Sequence, residues 1–278
     1  MKRLRRTFAE PEPIHVPDWL RAWSSDAETS LDQVAAAMAL LALVHPIGRR
    51  DRTTLPYDVL HERLMLDAVL GQSVSRGIKA ARTDLRDEVH RRPAVDAVSV
   101  LPVVPSPAAK MFDRLRVGRP VPGPDGSGSN PLAVALRAFD GAADRVDGLL
   151  AADAALASCL GWPAALPLVA VGLTRAGVVD EAAIARAVIA GVNRVLRIAP
   201  MLERRAIRLR AFAPKLRGRG AEQAVGLLLT RDAIAPKPAL IEPGIMPDRE
   251  ARRLCDRLVG LGLARELTGR PTWRLYGL

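Results

Sequence analysis

Asp248-Arg249-Glu250-Ala251-Arg252-Arg253-Leu254-Cys255-Asp256-Arg257-Leu258-Val259-Gly260-Leu261 is the stretch on which the reading of this chain turns. Ala251, Leu254, Cys255, Leu258 and Leu261 recur at steps of three and four, which places them on one side of an α-helix. Pro247 and Asp248 provide its start. The other side carries Arg249, Arg252, Arg253, Asp256 and Arg257. Residues 264–267 and 272–276 then alternate around Thr268-Gly269-Arg270-Pro271, the pattern of a β-hairpin. With a helical stretch at residues 221–230 ahead of them, the order is helix, helix, hairpin. This is the second half of a winged helix-turn-helix, in which one helix enters the major groove and a wing lies on the backbone.

The charge distribution points the same way. Sixteen Arg and Lys against seven Asp and Glu fall between Arg204 and Leu278, so +9 of the formal net +11 sits in that segment. A basic unit beside a near-neutral one is the footprint of a phosphate-binding module. A GC-rich genome would explain 36 Arg against 5 Lys, but not why uncompensated charge gathers at one end. Duplex DNA is the partner this implies. The candidate contacts are Arg249, Arg252, Arg253 and Arg257 on the helix, with Arg265, Arg270 and Arg274 on the wing. Arg grips phosphate or forks onto a guanine edge, and a wing tip such as Arg270 usually meets phosphate. Trp273 reads as a core anchor rather than a base-stacking residue. Arg204, Arg205, Arg208, Arg210, Lys215, Arg217 and Arg219 read equally as a continuation of the phosphate strip or as the wet side of a helix. The alternative function is a protein-docking module, its arginines facing an acidic partner or water.

Ahead of this unit the composition favours packed helices: Leu, Ala and Val dominate and aromatics are 4%. The expected fold is mainly α, an all-helical N-terminal body carrying a C-terminal winged helix-turn-helix with a small β-hairpin. Residues 1–18 read as an irregular basic, proline-rich arm and residues 19–203 as the helical body. A Pro/Gly-rich loop lies near 118–131, and residues 204–278 form the basic module. Within the body, helices are expected from Asp26 or Ser30 to about Val44, from Tyr57 to about Arg76, and from Gly77 to about His90, with breaks at Gly71 and Gly77. Others span residues 108–117, 132–145, 146–160, 162–172 and 180–211, with Asp180 as N-cap of the last and Pro200 bending it. The body would supply dimerisation or a surface for a protein partner.

No chemistry announces itself. Gly123-Pro124-Asp125-Gly126-Ser127-Gly128 lacks the Lys and Ser/Thr of a P-loop. His61-Glu62 opens like a zinc-protease motif, but Met65 stands where the second His belongs. Asp84, Asp87, Glu88 and His90 fan over more than one helix face and read as a solvated surface with ordinary i to i+4 neighbours, such as Asp84 and Glu88 flanked by Arg82 and Arg86. The histidines are scattered, and Cys159 and Cys255 read as buried free thiols. No metal, cofactor or enzymatic activity is expected. The basic start, Met1–Arg6, runs into Glu10-Pro11-Glu12-Pro13 rather than an apolar stretch, and residues 34–44 are too short to span a bilayer. Residues 156–173 are broken by Pro163 and Pro167. A soluble, cytoplasmic protein with no membrane association is the expectation.

The ending Arg265-Glu266-Leu267-Thr268-Gly269-Arg270-Pro271-Thr272-Trp273-Arg274-Leu275-Tyr276-Gly277-Leu278 resembles the terminal motif of an uncharacterised bacterial family, domain of unknown function 1403. Ala213-Pro214-Lys215-Leu216-Arg217 with Gly220-Ala221, residues 248–258, and Leu160-Gly161-Trp162-Pro163 with Leu166-Pro167-Leu168 are similar to it as well. The resemblance implies a bacterial, alphaproteobacterial-type, cytoplasmic protein. It contributes no catalytic residues, and the DNA-binding reading rests on the residues alone.

Overall fold

A computed structural model describes residues 30–43, 54–91, 104–117, 130–216, 220–269 and 273–278, together with Leu20, Val121 and Gly218. The chain is mainly helical. In order, the elements are α1 Leu31–Leu43, α2 Tyr57–Ser75, α3 Arg82–Arg91, α4 Pro107–Val117, α5 Pro131–Asp140, α6 Arg145–Cys159, α7 Leu168–Gly172 and α8 Glu181–Phe212. A 3-10 turn at Ala213–Lys215 leads to α9 Ala221–Thr230, a π-turn at Lys237–Ile241 and α10 Asp248–Gly260. Two short strands close the order, β1 Arg265–Glu266 and β2 Tyr276–Gly277.

Local chemistry sets most of the starts. Ser30 and Gln33 form a reciprocal capping box at α1, with Ser30 N–H donating to Gln33 Oε1 at 2.6 Å and Gln33 N–H to Ser30 Oγ at 3.3 Å. Asn130 caps α5 through Leu132 N–H, with Pro131 at the first helical position. Asp144 caps α6 and Asp180 caps α8, both from extended backbone. The cap of α7 comes from elsewhere: the buried Asp153 carboxyl of α6 accepts from Val169 N–H at 2.7 Å and Ala170 N–H at 3.2 Å. Burial pushes that carboxyl up to about 8, against the pull of those amides.

α2 is buried nearly all round, from Val59 and Leu60 through Leu64, Met65 and Leu66 to Val69, because α4, α7, α8 and α9 all pack on it. The main apolar cluster takes in residues from Ala36 to Leu278, and a small second cluster of Ala233, Ala235 and Leu275 lies beside the hairpin. Two glycines set the closest helix crossing. A Cβ on Gly172 would overlap the Ala187 carbonyl, and one on Gly191 would lie 2.7 Å from Leu168 Cα. Gly226 in α9 faces open space and is exposed. The two sites therefore respond with opposite sign in urea unfolding. Gly191→Ala loses about 1–3 kcal/mol through overpacking, while Gly226→Ala gains about 0.5–1 kcal/mol from helix propensity.

Several boundaries differ from the sequence expectation. α2 passes straight through Gly71, which is not a break but a point of close approach: its missing Cβ leaves room for the Thr174 methyl. The break falls at Gly77, whose φ is +67°, and α3 begins only at Arg82. Residues 162–172 form a helix only over Leu168–Gly172, beyond the prolines. The expectations for the arm at residues 1–18 and for most of the loop near 118–131 lie outside the described residues.

α3 is not the solvated surface its acidic run suggests. Leu85, Arg86 and Asp87 are buried. Arg86 Nε reaches Asp232 Oδ2 at 2.7 Å, and Arg63 Nε of α2 reaches Asp232 Oδ1 at 2.6 Å. Asp232 is fully buried, just after α9. Its own N–H donates to Glu62 Oε2 at 2.7 Å, and a second nitrogen of Arg63 donates to the main-chain oxygen of Leu278 at 2.5 Å. Burial alone would push the Asp232 carboxyl up; the two guanidiniums overcome it and hold the group below the usual carboxylate range. Four charged side chains thus join α2 and α3 to the segment that precedes the hairpin.

His90 sits in the same field. Its Nε2 is buried without a hydrogen-bond partner among the described residues. Burial first, then the positive charges of Arg86, Arg231 and Arg116, push its pKa down to about 4, with Asp232 opposing. The unfolded chain therefore takes up the proton near 6.5 while the folded one resists until about 4. Stability that is fully present at neutral pH falls by roughly 3 kcal/mol across that window. Urea unfolding of the wild type at stepped pH should show this slope, and His90→Leu should flatten it.

Candidate nucleic-acid interface

α10 is the most sharply two-sided helix in the fold. Ala251, Cys255 and Leu258 are buried, and burial pushes the Cys255 thiol up to about 12 with help from Asp256. Neither Cys255 nor Cys159 is in a disulfide, and Cys159 is half-buried rather than buried as the sequence suggests. Arg249, Arg252, Arg253, Asp256 and Arg257 are exposed. Leu261 departs from the sequence expectation: the helix stops at Gly260, and Leu261 is its C-cap, 40% exposed. Gly262, at φ +64°, closes a Schellman motif in which Leu263 N–H bonds Leu258 O at 2.9 Å and Gly262 N–H bonds Val259 O at 2.8 Å. That reversal sends the chain directly into β1.

The hairpin pairs Arg265 with Gly277 and Glu266 with Tyr276 in antiparallel register. Leu267 N–H extends the ladder to Leu275 O at 2.8 Å. Glu266 is committed to the turn, where its carboxylate accepts from Thr268 and from Gly269 N–H at 2.9 Å. Tyr276 pairs on both sides. Ile234, between α9 and the π-turn, exchanges both hydrogen bonds with it at 2.8 and 2.9 Å. A single-residue third strand therefore lies across from β1, which sequence alternation had not revealed. Trp273, half-buried, packs with Leu267 on Ala233, Ala235 and Leu275.

The seven candidate contacts divide. Arg249, Arg253 and Arg257 project from α10 and form no ion pair among the described residues. Arg252 holds Asp248 at 2.8 Å, one turn back on the same helix. Arg274 reaches Asp256 at 3.4 Å, and Asp256 also accepts from the Tyr276 hydroxyl at 3.0 Å. Burial first, and then that carboxylate, push the Tyr276 phenol up to about 12. Arg252 and Arg274 share one cleft with Lys237, Asp256 and Trp273. Arg265, exposed on β1, lies near enough to Arg205 of α8 for their charges to act on each other. Arg205 is lowered by burial first and then by the positive charge of Arg265, Arg63, Arg204 and Arg208. Arg270, Arg217 and Arg219 lie outside the described residues. Arg210 has a structural role, donating to Thr54 O at 2.6 Å.

Two cationic surfaces result: the outer face of α10, and a group of Arg204, Arg205, Arg208 and Arg265 built from α8 and β1. Like charges are brought together there with no carboxylate bonded to any of the four among the described residues. Such a group raises the local positive potential.

A pocket of about 280 Å³ in the helical body is lined by His61, Met65, Leu115, Arg116, Leu150 and Asp153 among others. It is largely apolar. Burial lowers His61 and raises Asp153, and the latter is engaged by the α7 amides. Among the described residues no cluster of His, Cys, Asp or Glu has the make-up of a metal site, and no helix is long and apolar enough to cross a membrane.

The segment from the α5 cap to the end of the hairpin has a counterpart among known sequence families. Residues 129–278 match the family described as protein of unknown function (DUF1403). The chain belongs to that family. The DUF1403 match takes in α5 to α10, both cationic surfaces and Asp232, but not α2 and α3, which supply Arg63 and Arg86. No curated protein and no solved structure matched the chain.

Proposed function

We propose that this protein is a cytoplasmic, non-enzymatic DNA-binding protein that holds duplex DNA through a C-terminal winged helix. The order α9, Ile234, π-turn, α10, β1, β2, with Tyr276 central between Ile234 and Glu266, supports that assignment. In a winged helix, the third helical element reads the major groove and the hairpin flanks it. α10 holds that position here. The observation that carries the reading is the exposed row Arg249, Arg253 and Arg257 on α10, which no carboxylate reaches among the described residues. An arginine face left uncompensated while Arg63 and Arg86 are fully paired inside is suited to an external polyanion.

Fluorescence anisotropy with random duplex DNA over a salt series tests the proposal. Binding that weakens steeply with salt supports it. Absence of duplex binding alongside co-purification with an acidic protein would instead favour a docking module.

A further inference from the structure

We propose that the pocket enclosed by α2, α4, α6 and residues 163–167 binds a small organic acid, its apolar body on Met65, Leu115 and Leu150 and its carboxylate at Arg116, beside the His61 ring. The site stands apart from the DNA-binding reading, since none of its residues lies on α10 or the wing. Its volume of about 280 Å³ falls just under the roughly 300–1,000 Å³ of drug-sized sites, so the occupant is small.

Each of three helices gives the pocket one apolar and one polar side chain. On α2, Met65 and His61 stand one turn apart and share a face. α6 presents Leu150 and Asp153 in the same way, and α4 adds Leu115 and Arg116 from its last turn. Residues 163–167 form the fourth wall. Pro163 and Pro167 stiffen it, and the Tyr57 hydroxyl donates to the Ala164 and Ala165 carbonyls at 3.3 and 3.4 Å. Met65 and Leu115 are buried, so the floor is apolar and already assembled.

The polar groups decide which ligand fits. Asp153 gives one oxygen to Val169 N–H at 2.7 Å and the other to Ala170 N–H at 3.2 Å. With its carboxyl raised by burial to about 8, it is mostly uncharged at neutral pH and does not repel an acid. Burial also lowers His61, against the opposing pull of Asp58, which leaves a neutral ring with one N–H to donate. That ring stacks on Tyr57 and forms no hydrogen bond among the described residues. Arg116 is exposed at the rim and forms no ion pair among the described residues. The Glu62 carboxylate senses its charge, but that group accepts from Asp232 N–H at 2.7 Å and senses Arg231 as well. The one full charge in the lining is therefore positive, and it borders apolar surface. A carboxylate at Arg116 gains charge-assisted hydrogen bonds that an uncharged head group lacks, while an inorganic anion leaves Met65 and Leu150 uncovered.

Backbone amide shifts of the isotopically labelled full chain are followed by nuclear magnetic resonance as acetate, butyrate, hexanoate and hexanol are added separately. Hexanoate should saturate, with the largest shifts at Met65, Leu115, Leu150 and their neighbours. Affinity should rise about three- to fourfold for each methylene from acetate to hexanoate. Hexanol should bind about tenfold more weakly than hexanoate. Arg116→Gln, an exposed change, should bring hexanoate down to the level of hexanol and leave the remaining amide spectrum unaltered. The chain-length series reads the pocket in the unaltered protein, so the outcome does not depend on that variant. Acetate equal to hexanoate would reveal a surface anion site and overturn the proposal. Hexanol equal to hexanoate would leave an apolar pocket without preference for an acid and overturn it too. So would the lack of a saturable shift up to about 10 mM hexanoate.

Discussion

Asp232→Ala should cost this protein about 3–5 kcal/mol, a large part of the roughly 5–15 kcal/mol that holds a domain folded. The substitution leaves Arg63 and Arg86 buried without the carboxylate at which both direct Nε. Asp232→Asn should cost nearly as much, since its amide nitrogen would face an arginine donor. The companion experiment separates the pair energy from the cost of orphaned charge. Arg63→Met/Arg86→Met/Asp232→Leu removes all three charges together and should recover most of the loss, so the three single variants sum to far more than the triple. The pH dependence carries a definite sign. Because the folded-state pKa of Asp232 is depressed, its contribution is present above about pH 4 and is lost as pH falls below that. His90 acts earlier, between about 6.5 and 4, so acid unfolding should have two stages, the first absent in His90→Leu. A change below about 1 kcal/mol in urea unfolding of Asp232→Ala would show that the network does not anchor the tail.

What the sequence made visible was local. The α10 stripe and the Asp180 cap act within a few residues of their own position, and each was found at or within a residue or two of its expected place. What it hid was distant. Asp232 is a lone acid after a helix, and nothing nearby separates it from a surface loop residue. Its partners stand 169 and 146 residues away. Arg63 and Arg86 lie on helices whose other residues look ordinary, and the acids beside Arg86 suggested a wet face. Ile234 is a strand of one residue, too short to alternate. Gly71 and Gly191 look like helix weaknesses in one dimension and are close contacts in three. The same limit applied to the candidate site. The arginines of the tail were legible as a set, but their division between α10 and α8 follows from the nearness of Arg265 to Arg205, which a two-residue strand does not advertise.

That division shapes the last expectation. Wild-type protein should lose duplex affinity with a log–log salt slope of about −0.9 for each phosphate contact. Arg249→Gln/Arg253→Gln/Arg257→Gln removes three exposed cations from α10 and should flatten the slope by about 2.7, with affinity falling most at low salt. Folding should be unaffected to within about 0.5 kcal/mol, since these side chains are exposed and form no ion pair among the described residues. Arg204→Gln/Arg208→Gln/Arg265→Gln provides the contrast. It too should flatten the slope, and in addition it should stabilise the free protein by roughly a few tenths of a kcal/mol at low salt, because Arg205, lowered first by burial, is lowered further by the positive charges this variant removes. A cation group that weakens the empty protein and strengthens the bound one is assembled for a ligand. If the α10 triple binds with an unchanged slope, the exposed row is only a solvated face, and the groove-reading role of α10 is lost with it.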